Sequence, residues 1–306
     1  MKFPFFSVVI PTYNRPLQIE RCLAALAQMD YPQDRYEVIV VDDGGKTSLR
    51  SIVDGFGKGV SMTLVEQQNA GPAAARNRGV AEAKGDFIAF TDDDCMPDSQ
   101  WLRQFAIALS QSPSAMVGGR TINALPNNLY SSASQALIDY LYSYYNGVNK
   151  SATQSVFFAS NNIAMSKSLF LEIGGFDVSF PLAAAEDRNL CDCWQQAGYK
   201  MKYVPSATIQ HAHALSLKSF WRQHFGYGRG AFCFHQVRSQ RTEESVRVEP
   251  LKFYSDLLTY PIVERGVRSP LIVSGLFFLS QVATTAGFFW ERHSAHRRRE
   301  KIVTSS

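Results

Sequence analysis

The sequence predicts an α/β domain built on a parallel sheet with helices on both faces. Between residues 5 and 90, short apolar runs rich in β-branched residues alternate with segments in which apolar residues recur at helical spacing. Strands buried on both faces of a parallel sheet are nearly continuous apolar runs, and a β-α-β-α order is typical of such sheets. Polar residues follow each run, as expected where strands end at a ligand cleft.

The elements of the first half follow from these runs and their stop signals. The first strand ends before Pro11, and Ile19 and Leu23 show the helical spacing of the segment after it. In order, we predict a strand at 5–10, a helix at 17–29, strands at 38–41 and 62–65, a helix at 72–83 and a strand at 87–90.

The second half is less regular. Gly118-Gly119 and Gly174-Gly175 are expected to end a strand and a helix, because glycine readily terminates regular structure. In order, we predict a helix at 101–109, a strand at 115–117, a helix at 129–145, apolar segments at 157–158 and 163–165, helices at 167–174 and 186–198, and short strands at 199–204 and 207–209.

Composition and charge exclude several classes of protein. The 306 residues carry a net charge of only +4 without a long basic stripe, which argues against a nucleic-acid partner. The five cysteines are odd in number and irregularly spaced, which favours a reducing compartment over a disulfide framework or a paired zinc site. Polar residues from Thr12 onward interrupt the apolar N-terminus before a signal peptide could be complete, so we expect the folded domain in the cytoplasm.

Polar side chains follow each of the four predicted strands of the first half. They are, in strand order, Thr12 and Asn14, then Asp42 and Asp43, then residues 68–71, and last Asp92, Asp93 and Asp94. In open α/β sheets the ligand lies outside the carboxyl ends of the strands. The sequence therefore predicts that these residues form one site.

The Asp92–Asp94 triplet indicates a divalent cation. Carboxylates this close repel one another, and a hard ion such as Mg²⁺ or Mn²⁺ relieves the repulsion while it leaves positions open for phosphate oxygens. A solvated turn or a helix N-cap near Pro97-Asp98 is the alternative. Gly71-Pro72 should begin a helix whose amides favour phosphate, with Arg76 or Arg78 adding charge.

The order of motifs resembles the family-2 glycosyltransferases of the GT-A fold. The matching segments are SVVIPTYNR at 7–15, VVDDG at 40–44, NAGPAAARNRG at 69–79, TDDD at 91–94, GGFD at 174–177 and EDRNL at 186–190. The combination is more specific than any one motif. The resemblance implies a mixed Rossmann-like sheet and an inverting transfer of a sugar from a nucleotide-diphosphate donor, most often a UDP-sugar, to an acceptor hydroxyl of a glycan, glycolipid or similar glycoconjugate.

The resemblance also implies roles for individual residues. Asp187, or Glu186 beside it, would be the general base, although both also suit the acidic first turn of a helix. Asp94 would hold Mn²⁺ or Mg²⁺ directly, and Asp92 would face the ribose or a metal-bound water. His211 would be a third contact, to the metal or the diphosphate, with a structural strand-end histidine as the alternative. The implied nucleotide contacts are Pro11, Thr12, Asn14, Arg15, Asp42, Asp43, Asn69, Gly71, Arg76, Asp92 and Asp93, and the implied acceptor contacts are Asn161, Asn162, Gly175 and Trp194.

Departures from the family pattern touch two of these assignments. Gly45 stands where many members have Ser, and this difference weakens the assignment of Asp42 to a nucleobase pocket. Cys193 and Trp194 replace more usual polar residues, which leaves the acceptor contacts open. We expect a glycosyltransferase domain at 1–213, with a nucleotide half at 1–97 and an acceptor half at 98–213, and a helical, membrane-associated extension with a basic tail at 214–306.

The C-terminal stretch 271–290 has 20 residues without a charge, enough at about 1.5 Å per residue to cross a hydrocarbon core of about 30 Å. Basic residues flank both ends: Arg265 and Arg268 before it, Arg292 and Arg297 to Arg299 after it. A single crossing would place one basic group on the wrong side of the membrane. We therefore favour shallow insertion or re-entry at the cytoplasmic face of the cell membrane, with a single crossing and a buried soluble helix as alternatives.

Two other functions fit parts of the sequence. A nucleotide-sugar-binding protein without catalysis would keep the same donor residues. A receiver-like signalling domain also carries an acidic pair such as Asp42-Asp43, but in a receiver that pair lies near the first strand of a chain of about 120 residues. Here the pair follows the second predicted strand.

Overall fold

The computed structural model describes residues 3–57, 59–146, 157–180, 184–241, 249–264 and 267–304. The chain divides into two compact units, one formed by residues 1–124, 145–178 and 190–213, the other by residues 125–144, 179–189 and 214–306. The domain boundaries expected at residues 97 and 213 stay predictions.

An eight-stranded mixed sheet forms the centre of the first unit. Its strands are β1 Phe6–Thr12, β2 Tyr36–Asp42, β3 Ser61–Glu66, β4 Phe87–Phe90, β5 Cys95–Pro97, β6 Met116–Asn123, β7 Ile163–Ser166 and β8 Met201–His211. They lie in the order β3-β2-β1-β4-β7-β6-β8-β5. The first four in sequence are mutually parallel, and β7 runs antiparallel to its neighbours β4 and β6. The mixed α/β sheet is therefore confirmed.

Helices cover both faces of this sheet. Successive side chains of a strand point to opposite faces, so each strand packs against helices on both sides. The helices of the chain are α1 Pro16–Leu26, α2 Arg50–Phe56, α3 Pro72–Glu82, α4 Trp101–Gln111, α5 Leu129–Asn146, α6 Lys167–Glu172, α7 Glu186–Gln196, α8 Leu217–Arg241, α9 Leu251–Val263 and α10 Pro270–Thr304. Val8 and Ile10 of β1 share a buried cluster with α1 and α4. Val9, between them, faces α3, where a Cβ at Gly79 would lie 2.4 Å from its side chain.

Two strands differ from their expected bounds. We expected a strand to stop before Gly118-Gly119, but β6 continues through both glycines. Other groups fill the space that their side chains would take. A Cβ at Gly118 would lie 2.3 Å from Phe158, and one at Gly119 would lie 2.1 Å from the carbonyl oxygen of Ala207. The two short strands expected at 199–204 and 207–209 are one strand, β8, whose pairing with β6 shifts register after Val204. This irregularity accommodates Pro205 inside a strand.

The second unit is helical. Apolar side chains of α5, α8, α9 and α10 form one buried cluster that includes Leu137, Phe220, Leu257 and Phe277. The helix α10 is unbroken over 35 residues and contains a segment, Pro270–Arg297, long and apolar enough to cross a membrane. It has no turn inside 271–290, which a re-entrant segment would need. Arg265 and the side chains of Arg298 and Arg299, named for the flanking charge, lie outside the described residues.

Candidate functional site

The Asp92–Asp94 triplet lies in the turn between β4 and β5, at the strand end where the sequence places it. The turn closes through the amide of Cys95, which donates to the carbonyl of Asp92 at 3.1 Å. It is held from a second side by the amide of Ala212, which donates to the carbonyl of Asp94 at 2.8 Å. Three neighbouring carboxylates are thereby fixed at the carboxyl end of a parallel strand, each with its own set of partners.

Asp93 faces inward and joins the triplet to the end of β1. Its carboxylate accepts hydrogen bonds from Thr12 Oγ1 at 2.7 Å and from Arg15 Nη1 at 3.0 Å. Burial raises the pKa of Asp93 to about 6, while the charge of Arg15 and the hydrogen bond from Thr12 act in the opposite direction. Both carboxylate oxygens of Asp93 therefore bind side chains of the protein itself. The predicted contact of Asp93 with a nucleotide stays a prediction.

Asp94 is surrounded by positive or potentially positive groups. His211 Nε2 lies 3.1 Å from one carboxylate oxygen, and His213 Nδ1 and Arg15 Nη1 lie 3.5 and 3.1 Å from the other. Burial alone would raise the pKa of Asp94, but hydrogen bonds from the two histidines and the charge of Arg15 outweigh burial and hold that pKa below its usual range. Burial acts to lower the pKa of His211, and the contact with Asp94 reverses this and raises it.

These contacts produce a candidate metal centre. Ligand atoms of Asp94, Cys95 and His211 all lie within 4.8 Å of one another. The strand β5 places Cys95 directly opposite His211 on β8. Burial raises the pKa of the Cys95 thiol well above its ordinary value, which makes the thiol a poor ligand for a hard cation. Asp94 and His211 supply a carboxylate oxygen and an imidazole nitrogen, which suit Mn²⁺, and they leave other coordination positions open.

Asp92 points to a different partner. Arg76 Nη2 lies 2.8 Å from Asp92 Oδ1, and the guanidinium of Arg76 lies over the ring of Phe176, 5.4 Å from its centroid. The Arg76 side chain is buried, so its charge is held at this carboxylate. The expected pairing of Asp92 and Asp94 on one ion stays a prediction, and the group of possible ligands found among the described residues contains Asp94 without Asp92.

The predicted nucleobase contact, Asp42, is the last residue of β2 and is 4% exposed. Gly45 donates its amide to Asp42 Oδ1 at 2.8 Å, and a Cβ at Gly45 would lie 2.7 Å from the same oxygen. Burial raises the pKa of Asp42, against the hydrogen bond from Gly45. Glycine at 45 thus permits a close approach of the backbone to this carboxylate.

Pro11 and Thr12 end the neighbouring strand β1, and Asn14 accepts a hydrogen bond from the amide of Lys46 at 2.8 Å.

Asp43 organises the loop that leads into α3. Its carboxylate accepts hydrogen bonds from the amides of Ala70 and Gly71, both at 2.8 Å, and from Gln67 Nε2 at 2.7 Å. Asn69 Nδ2 donates to the carbonyl of Asp43 at 2.9 Å. The carboxylate of Asp43 therefore binds two amides at the start of α3. We expected a phosphate at this helix start.

Most of the predicted acceptor residues are buried. Gly175 has a φ of +71° in a turn that the side chain of Asn77 secures through both backbone groups of Phe176. Asn162 accepts from Trp101 Nε1 at 2.8 Å and donates to two backbone carbonyls, so its side-chain groups are used inside the fold.

Two further acceptor candidates are buried but differ in their polar contacts. The indole of Trp194 is fully buried and donates to the carbonyl of Lys200 at 3.1 Å. Asn161 is 8% exposed, and its Oδ1 has no hydrogen-bond partner in the structure. An acceptor contact at any of the four residues stays a prediction, and Asn161 alone retains an unused acceptor atom among them.

The acidic pair Glu186-Asp187 begins α7, in the second unit. Glu186 is buried and Asp187 is half-buried, with its Oδ1 accepting from the amide of Arg188 at 2.7 Å. Ala185, directly before the pair, has a φ of +73°. A left-handed conformation at a residue with a Cβ is strained, and such strain is concentrated at functional sites.

Cys95 and His213 join the site without having been assigned to it. The three-residue strand β5 brings Cys95 to the candidate metal group, and so short a strand has no periodicity to reveal it. His213 lies two residues after His211, so alternation along a strand predicts the same face for both. Their contact with Asp94 is a tertiary contact.

Comparison with known proteins gives one family. A model described as glycosyl transferase family 2 matches residues 7–174, more than half of the 306-residue chain. The chain is 37% identical over 126 residues to glycosyltransferase AglE of Haloferax volcanii, covering 40% of this chain and 41% of that protein. It is 29% identical over 237 residues to probable glycosyltransferase YdaM of Bacillus subtilis, covering 75% and 56%. The chain spans about half the length of the curated relatives it matches.

Solved structures give the same fold. Mannosyltransferase PcManGT from Pyrobaculum calidifontis, in complex with GDP-Man and Mn²⁺, matches with a TM-score of 0.61 and 20% identity over 96% of this chain and 81% of that one. S. aureus TarS 1-349 in complex with UDP matches with a TM-score of 0.53 and 16% identity over 96% and 91%. At such identities the likeness concerns the fold alone, and it confirms the GT-A class.

Proposed function

The chain belongs to glycosyl transferase family 2, and from this premise we propose that it transfers a sugar, with inversion, from a nucleoside diphosphate sugar to an acceptor hydroxyl. The observation that carries the proposal is the position of two groups. Asp42 ends β2, and Asp94, in contact with His211, follows β4; β2 and β4 lie on either side of β1. A nucleobase and a diphosphate are two parts of one donor, joined by the ribose, and a carboxylate and a metal-binding pair suit these two parts.

We propose that Asp42 recognises the base. A carboxylate only accepts hydrogen bonds, so it matches the N3–H of uracil and also the N1–H and amino group of guanine. UDP is the donor nucleotide that the family motifs favour, and TarS is described with UDP. PcManGT is described with GDP-Man, which makes GDP-sugars the necessary comparison.

We propose Asp94 and His211 as the residues that hold Mn²⁺ or Mg²⁺. When bound, the cation stabilises the negative charge that forms on the leaving diphosphate. Before binding, Arg15 supplies positive charge to Asp94 across 3.1 Å, and its side chain is 44% exposed. Arg15 can therefore leave Asp94 or turn toward an incoming diphosphate without disturbing a packed core. Arg76, which is buried against Asp92, provides charge that stays in place.

We propose Asp187 as the general base that removes the proton from the acceptor hydroxyl. It is the more accessible member of the acidic pair, whereas Glu186 is buried. A positioned base contributes about 10²- to 10⁴-fold to such a reaction. The acceptor is a glycan or a lipid-linked glycoconjugate, and α10 would hold the enzyme at the cytoplasmic face of a membrane.

A donor panel tests the activity. Purified protein is mixed with UDP-sugars and GDP-sugars with and without Mn²⁺, and release of the nucleoside diphosphate and donor binding by calorimetry are measured. We expect one UDP-sugar to bind and to release UDP only with the metal. A metal-dependent response to GDP-sugars alone would change the base assignment, and no response to any donor would contradict the proposed activity.

Asp187→Asn separates the enzyme from a nucleotide-sugar-binding protein without catalysis. We expect donor binding to stay within about twofold and transfer to fall about 10²- to 10⁴-fold. Asp192→Asn is the matched control, because Asp192 lies on the same helix and accepts from Gln196 Nε2 one turn later. Equal turnover in the two variants would remove Asp187 from the base role.

A further inference from the structure

A cleft lies between α8 and α10 in the second unit, outside the proposed sugar-transfer site. Thr284 Oγ1 donates to the carbonyl of His224 at 3.3 Å, and the rings of Phe232 and Phe288 lie 5.4 Å apart. Contacts advance in the same direction along both helices, so the helices run parallel. Farther along, between Gln236 and His296, they enclose a cleft of about 490 Å³.

The two helices are in close contact just before the cleft. A Cβ at Gly228 would lie 1.8 Å from the carbonyl oxygen of Thr284, and one at Gly287 would lie 2.0 Å from that of Phe225. Beyond these glycines large residues face each other: the rings of Phe232 on α8 and Phe288 on α10 lie 5.4 Å apart. Phe289, the next residue, is exposed and lines the cleft. Side chains of this size hold the backbones apart and leave a space lined partly by aromatic rings.

The polar lining of the cleft suits an anion. Arg292, His293 and His296 project into it from α10, and Gln236 adds an amide from α8. None of the described residues that line it is acidic. The nearby carboxylate of Glu291 is fully buried and pairs with Arg229 at 2.7 Å, so it does not neutralise the cleft. Arg292 lies three turns before the end of α10 at Thr304, so compensation of the helix dipole does not explain it.

The cleft lies at the end of the uncharged stretch of α10, and this position bears on which anion it binds. The uncharged stretch 271–290 ends where the cleft begins, and its outward face exposes Phe278, Val282, Phe289 and Trp290. In a membrane-bound helix, Trp and basic residues at the end of an apolar stretch lie at the level of the headgroups. Building on the membrane attachment proposed above, we propose that this cleft binds the phosphate of an anionic phospholipid.

Vesicle flotation of the full chain tests this site, with phosphatidylcholine vesicles that contain or lack phosphatidylglycerol. The wild-type protein should prefer the phosphatidylglycerol vesicles, and Arg292→Gln should lower that preference about fivefold. Arg222→Gln is the charge-matched control: Arg222 is exposed on α8, ten residues or about 15 Å before Phe232. We expect less than a twofold loss in that variant.

A charge-neutral variant separates the cleft from bulk electrostatics. Ala295 lines the cleft, and Ala295→Phe, or the smaller Ala295→Val, fills it without changing net charge. Both should lower the phosphatidylglycerol preference, and retained binding to phosphatidylcholine vesicles shows that the fold and the membrane attachment persist. An unchanged preference in both Ala295 variants, or equal losses in Arg292→Gln and Arg222→Gln, would overturn the site while leaving the attachment intact.

Two outcomes with wild-type protein also decide the question. Soluble glycerol 3-phosphate, added at the same phosphate concentration as the lipid, should leave the preference unchanged. If it abolishes the preference, the cleft takes a free phosphate and the lipid assignment is wrong. Failure to bind either kind of vesicle would overturn both the cleft and the attachment, whereas nucleotide release in the donor panel would be unaffected by that result.

Discussion

Charged side chains are arranged in opposite ways in the two compact units. At the strand ends of the first unit, Arg15 is shared between Asp93 and Asp94, and its side chain is 44% exposed. In the second unit, Glu291 is fully buried and pairs with Arg229 at 2.7 Å. The first arrangement leaves a cation that can move when a ligand arrives, whereas the second holds both charges in place between packed helices.

The difference separates charges that suit ligand exchange from charges that support packing. Asp94 has three cationic or potentially cationic neighbours, more than one carboxylate needs for neutrality. The Arg229–Glu291 pair instead lies beside the close contact of α8 and α10 at Gly287. Substitution should therefore affect turnover at the strand ends and stability in the helices.

The largest effect is expected from Glu291→Ala. Removing this carboxylate leaves the guanidinium of Arg229 without its charged partner, and breaking a buried pair costs about 3–5 kcal/mol. Denaturant unfolding followed by circular dichroism measures the loss. Glu264→Ala, at an exposed position at the end of α9, is the control and should change stability by less than about 0.5 kcal/mol. Similar losses in both variants would mean that the pair does not stabilise the helices.

Asp94→Asn is expected to have the next largest effect, on catalysis rather than on stability. Asparagine keeps the shape but lacks the negative charge, so turnover should fall about 10²- to 10³-fold. Steady-state rates at several Mn²⁺ concentrations measure this change, and excess metal should restore part of it. Asp98→Asn is the control, since Asp98 is exposed and its carboxylate accepts from the amide of Gln100. A full rate in Asp94→Asn would remove Asp94 from the metal site.

Much of the first unit could be predicted from sequence, for a physical reason. The strands β1, β2 and β4 are buried on both faces, so their apolar runs are continuous and end at polar residues. That pattern located Asp42 and the triplet before any contact was known. The helix α9 was not predicted, because Pro261 interrupts its pattern although it lies inside the helix.

The partners of the site residues could not be predicted in the same way. Arg15 and Arg76 meet the triplet across gaps of many residues in sequence, and nothing local indicates which carboxylate each of them contacts. Asp43 illustrates the same limit: its contact with the amides of Ala70 and Gly71 depends on how β2 and the loop before α3 meet. Residue types and strand ends are local information, whereas pairings depend on the folded chain.

A smaller effect is expected from Gly228→Ala, which tests the packing side of the comparison. The new Cβ would lie 1.8 Å from a backbone carbonyl of α10, so the helices must separate, at a cost of about 1–3 kcal/mol. Gly226→Ala is the matched control on the same helix, because nothing lies within 4 Å of its Cβ. It should stabilise the protein slightly, since alanine favours a helix. Thermal unfolding of the two variants measures the contrast, and shifts of the same sign would contradict the close packing.

The smallest effect is expected from Gly45→Ala, at the strand ends. Its Cβ would lie 2.7 Å from Asp42 Oδ1, which is the end of a side chain and can rotate away, unlike the carbonyl that faces Gly228. Stability should therefore change little, but the displaced carboxylate should weaken donor binding, raising KM for the UDP-sugar about fivefold with kcat unchanged. Gly55→Ala, whose Cβ meets nothing within 4 Å, should leave KM unaltered. A lower kcat at constant KM would show that Asp42 acts on the reacting centre instead of on the base.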